Sequence, residues 1–96
     1  MARAKGIRVR FSSALKPQTG EAETTLPSAN SVKEALALLS QKYGEAFRRR
    51  IFDEAGSVRR FISIYVNGED IRFKNGVETK LKAGDEVLIL PAVSGG

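Results

Sequence analysis

One strongly capped helix set between two strand patterns limits this chain to few architectures. Ser31-Val32-Lys33-Glu34 reads as a capping box, in which the Ser31 hydroxyl accepts from the Glu34 amide while the Glu34 side chain reaches back. Val32, Ala35, Leu36, Leu39 and Tyr43 follow at spacings of three and four, on one helical face, and Gly44 is a C-terminal stop. Ahead of the helix, Gly6 to Leu15 opens with Ile7, Val9 and Phe11 alternating with Arg8 and Arg10, the period of a half-buried strand. Lys16-Pro17-Gln18-Thr19-Gly20 is turn chemistry, and Glu21 to Leu26 is the returning strand of a hairpin. Beyond the helix, Phe61 to Val66 is rich in β-branched and aromatic residues, and Val87 to Leu90 is an apolar strand that Pro91 ends. A single helix cannot shield both faces of a sheet, so it packs across one. The expected class is α+β: a mixed sheet of about four to five strands with one main helix. Its first and last strands are the most apolar, and are expected side by side and parallel at the centre.

The intervening stretches are read as follows. In Glu45 to Arg60, Phe47, Ile51 and Phe52 form a short helical anchor, and Asp53 to Ser57 an exposed loop. Asn67-Gly68 is a tight-turn signal. Ile71 to Phe73 and Thr79 to Leu81 are short extended pieces, separated by a turn at Lys74-Asn75-Gly76, and Ala83 to Glu86 is another turn. Residues 1–91 form one domain, and 92–96 are expected to be a free, flexible tail.

Composition narrows the chemistry. With 96 residues the chain holds one compact domain. A domain of this size buries roughly 60–65% of its unfolded surface, which leaves no room for a large enclosed active site. There is no cysteine and no histidine. Disulfides and thiolate chemistry are excluded, the commonest general base is missing, and a metal site would need carboxylates alone. No apolar run approaches the ~18 residues of a membrane span, and the basic start Met1 to Lys5 lacks the apolar segment of a secretory signal. A cytoplasmic protein away from membranes is expected. The net charge of +5 admits nucleic acid, a nucleotide or an acidic protein partner without choosing among them.

Three surface features carry expectations. Arg48-Arg49-Arg50 and Arg59-Arg60 are two short runs interrupted by Asp53 and Glu54, so ordinary solvated charge is the favoured reading; as a binding site they suit an acidic protein better than RNA. If Val87 and Ile89 face the core, Leu88 and Leu90 face out, and with Phe61 and Tyr65 make an apolar docking patch, to which Pro91 and Val93 of the strand exit are added. Glu69-Asp70 and Asp85-Glu86 are read as solvated turn acids, with no metal or acid–base role.

The runs Val66-Asn67-Gly68-Glu69, Leu81-Lys82-Ala83-Gly84-Asp85-Glu86-Val87 and Leu90-Pro91-Ala92-Val93-Ser94-Gly95-Gly96 resemble the MoaD and ThiS sulfur-carrier family. Arg60 to Val66 and Ile89 to Val93 resemble the subgroup that includes the cysteine-biosynthetic carrier CysO. The long Glu45–Arg60 segment, and Ala92 in place of a second proline, depart from the shorter molybdopterin carriers. The resemblance implies a β-grasp, ubiquitin-like fold and a carrier that is not an enzyme and binds no cofactor. Gly96 would be adenylated by a MoeB/ThiF-like adenylyltransferase using ATP and Mg²⁺, then converted to a thiocarboxylate. Sulfur would pass to an accepting enzyme, either the molybdopterin synthase large subunit or a cysteine synthase.

The tail suits that chemistry. A terminal carboxyl with a pKa of about 3.5 is ionised at neutral pH and needs activation before it can react as an electrophile. Five residues beyond Pro91 reach at most ~17 Å. Gly95 and Gly96 pass a narrow channel with no Cβ to clash, and the absence of cysteine removes an internal thiol that would compete. Two other readings stay open: a ubiquitin-like modifier joined to lysines through Gly96, and a small basic nucleic-acid-binding module.

Overall fold

A computed structural model describes residues 6–91. The strands are β1 (Ile7–Phe11), β2 (Glu23–Leu26), β3 (Ile62–Val66), β4 (Glu69–Asp70) and β5 (Glu86–Pro91). They form one mixed sheet in the order β2-β1-β5-β3-β4. β1 runs antiparallel to β2 and parallel to β5, and β5 runs antiparallel to β3. This is the β-grasp topology, with the first and last strands adjacent and parallel at the centre, as expected. The inward residues Ile7, Val9, Ile64, Val87 and Ile89 are almost fully buried.

Helix α2 (Val32–Tyr43) covers this face with Val32, Ala35, Leu36 and Leu39. Its start is held as the sequence indicates: Ser31 Oγ accepts from the Glu34 amide at 3.2 Å. The reciprocal bond differs by one residue, because Glu34 Oε1 accepts from the Asn30 amide at 2.6 Å rather than from Ser31. Gly44, at φ 90°, ends the helix with its N–H on the Ser40 carbonyl. Helix α3 (Glu45–Ile51) follows at once and is the expected anchor, with Phe47 and Ile51 fully buried. Phe47 stacks against Tyr43 at 5.5 Å and edge-on to Phe11 at 6.2 Å between ring centroids. The exposed loop after it is shaped by Asp53, whose Oδ1 accepts from the Ala55 and Ser57 amides.

Two extended assignments are corrected. The first strand stops at Phe11; Ser13–Leu15 curl into a 3₁₀ turn and Lys16–Thr19 into a short helix, α1. Pro17 sits in the first turn of α1, where its missing N–H costs nothing. Leu15 is buried, but from a helical turn rather than from the extended strand that its place in the alternation suggests. Ile71–Phe73 is also a 3₁₀ turn, because the Asp70 carboxylate accepts from the Arg72 amide at 2.8 Å and caps it.

Candidate functional site

The C-terminal strand lies in the middle of the sheet, gripped on both sides. Its registers pair Val9 with Val87 and Phe11 with Ile89 on β1, and Ile64 with Ile89 and Ile62 with Pro91 on β3. The start of this strand, at Glu86, is fixed separately. Asn67, at φ 51°, and Gly68, at φ 88°, make the tight turn between β3 and β4. From there Asn67 donates its backbone N–H to the Glu86 carbonyl at 2.8 Å, and its Oδ1 accepts from the Glu86 amide at 3.0 Å. Its Nδ2 donates to Asp85 Oδ1 at 3.0 Å.

Asp85 also accepts from the Lys82 amide at 2.9 Å and from Lys82 Nζ at 3.3 Å. Burial pushes its carboxyl up, but the bonds from Asn67 and Lys82, with the Lys82 charge, outweigh that and hold it below the usual range. The reading of Asp85 as a solvated turn acid is therefore corrected: it is 6% exposed and clamps two turns together. The Asn-Gly and Gly-Asp motifs meet in this clamp. Among the described residues, no cluster of carboxylates is arranged to hold a metal ion.

The face opposite the helices carries the docking candidates. Cross-strand partners share a face. Leu88 lies opposite Tyr65 on β3 and Arg10 on β1, and Leu90 lies opposite Ser63. Leu88 is 37% and Phe61 43% exposed, while Leu90 and Tyr65 are half-buried. Helix α3 does not cover the stripe on this face, because it packs on the other one. Pro91 does not extend it: Pro91 pairs with the buried Ile62 and so belongs to the helical face. Gly95, Gly96 and Val93 lie outside the described residues.

The borders of the stripe were not read from the sequence. Arg10 forms one, held between Glu86 at 3.2 Å and Glu23 at 3.8 Å. Arg72 forms the other, donating to Ser63 Oγ at 2.8 Å. Strand alternation placed Arg10 on the outer face, but only the parallel β1–β5 register sets it beside Leu88. Nothing local signals Arg72, which arrives through the turn that Asp70 caps.

Residues 9–96 match the ThiS family. The sulfur carrier protein CysO of Mycobacterium tuberculosis is 36% identical over 92 residues, covering 94% of this chain and 98% of that protein. Among solved structures, the small archaeal modifier protein 1 of Methanosarcina acetivorans superposes with a TM-score of 0.85 at 33% identity, covering 99% of this chain and 100% of that one. A chain of the Amycolatopsis orientalis BexX/CysO complex superposes with a TM-score of 0.80 at 34% identity, covering 94% and 99% respectively.

Proposed function

The chain belongs to the ThiS family, and from that premise we propose that it is a sulfur carrier whose working group is the carboxylate of Gly96. The observation that carries this is the extent of the family match, which runs through the tail to Gly96 itself. A partner adenylyltransferase transfers AMP from ATP, with Mg²⁺, to that carboxylate and releases pyrophosphate. Sulfide, as HS⁻, then attacks the acyl carbon; the C–S bond forms as the C–O bond to AMP breaks, AMP leaves and a thiocarboxylate remains. The folded body holds the tail and offers a surface for recognition, and contributes no side chain to the chemistry.

The Leu88–Leu90–Tyr65–Phe61 stripe is the docking surface in this reading. It lies on the same strand that leads into the tail, so a partner seated on it receives the tail at a defined place. The acceptor of the sulfur is either a molybdopterin synthase large subunit or a cysteine synthase, and reconstitution with each distinguishes them. The primary test is the intact mass after incubation with ATP, a sulfur source and an adenylating enzyme. Replacement of one oxygen by sulfur, placed on Gly96 by tandem mass spectrometry, is the expected result. An unchanged mass with an enzyme that loads a related carrier refutes it.

The likeness to a small archaeal modifier protein supports a second reading, in which activated Gly96 is joined to lysines of target proteins. Gly-Gly remnants on target lysines after digestion are its signature.

A further inference from the structure

The long Glu45–Arg60 segment helps to wall two cavities away from the sheet's outer face. Two cavities, of about 590 and 450 Å³, share Val58 and Val77 in their walls. The first lies between α2 and the loop after α3, and the second between β3 and the turns at 71–77. Their floors are aliphatic, with Val58, Val77, Ile64 and Ile71. Every charged side chain lining either cavity is a cation: Lys33, Arg48, Arg59, Arg60 and Arg72. Arg48 is paired with Glu45, and Arg72 with Asp70. Lys33, Arg59 and Arg60 form no ion pair among the described residues.

The wall is held in place. Phe52 and Val58 form a β-bridge, the Arg59 amide donates to the Ile51 carbonyl at 2.8 Å, and Arg59 Nε donates to the Arg49 carbonyl at 2.9 Å. The arginine runs that look like scattered surface charge in the sequence are thus arranged partly around a preformed apolar groove.

We infer that this groove docks an acidic, aliphatic segment of a partner protein. Charge complementarity selects the acid: Lys33, Arg59 and Arg60 form no ion pair among the described residues, and no carboxylate lines either cavity. The floor selects the rest. Single-stranded RNA binds by stacking bases on exposed aromatic faces, whereas the floor is aliphatic and Phe52, the single aromatic residue in the walls, is half-buried. Val, Leu and Ile side chains fit such a floor, and Asp or Glu between them meet the rim. Apart from Arg72, which also borders the Leu88 stripe, the groove's lining is separate from that stripe, so one partner can hold the body here while another sits on the sheet face.

The test uses the full chain and a short fluorescein-labelled peptide alternating Glu with Val and Leu, followed by anisotropy and by amide chemical shifts. Its Gln-for-Glu counterpart and a single-stranded RNA oligonucleotide are the comparators. Expected are saturable binding that weakens with salt, shifts centred on residues 56–60 and 71–77, and at least roughly tenfold weaker binding of the Gln peptide. The double variant Lys33→Glu/Arg60→Glu should lose a similar factor, since both residues are exposed. Ala37→Trp, at an exposed position on the groove wall, should block it without altering charge. Equal binding of the two peptides, shifts elsewhere, indifference to these folded variants, or RNA binding tighter than the acidic peptide would each overturn the inference.

Discussion

Asp85 and Tyr43 set how the fold answers pH, in opposite directions. Asp85 has a lowered carboxyl pKa, so its contribution is fully present above its unfolded value of 3.8 and is lost as pH falls through its lower folded value. Asp85→Asn should flatten that acid limb. At neutral pH it should cost about 1–3 kcal/mol, because the anion that accepts from Asn67 and Lys82 is gone; urea unfolding at neutral and acid pH reads both. Tyr43 is pushed up to about 12 by burial and by its hydrogen bond to Glu21. The stability it lends is complete below its unfolded value of 10.0 and is lost as pH rises toward 12. A tyrosinate absorbance titration should show this residue ionising late, and Tyr43→Phe should remove that late component.

At the scale of elements, the helix cap and the inserted helix make separate demands. Ser31→Ala removes the acceptor for the Glu34 amide and should cost about 1 kcal/mol, read as a lowered thermal midpoint with the fold intact. Phe47 is fully buried among Phe11 and Tyr43, and Phe47→Ala should cost roughly 3–5 kcal/mol in denaturant unfolding. A much smaller loss would mean that α3 is an ornament on a core complete without it. These elements were legible to different degrees. The Ser31 cap and the Val32–Tyr43 periodicity are local signals and read directly. The 3₁₀ turn at Ile71–Phe73 did not, because a side chain on Asp70, rather than propensity, diverts the backbone there. Leu15 reads as strand because an apolar residue in alternation looks the same whether the chain stays extended or curls.

For the molecule as a whole, the prediction concerns the outer sheet face. Leu88→Asp places a charge at a position already 37% exposed, so folding should be little affected, while affinity for an adenylating partner should fall by at least tenfold, roughly the effect of charging the centre of an apolar contact. Calorimetric titration against that enzyme, with circular dichroism to confirm the fold, decides it. What the sequence determined by itself is whatever depends on neighbours along the chain: the strand periods, the capped helix and the turn pairs. It also yielded the parallel central pair, since a strand that returns after a long helical connection has few other places to lie. Only the tertiary structure decided that Arg10 and Arg72 border the outer apolar stripe and that Asp85 is a buried clamp. It alone gathers Lys33 with Arg59 and Arg60 around one groove. The physical reason is common to all three: each depends on register or packing between segments distant in sequence, and a side chain's own neighbours in the chain carry no record of what lies across from it.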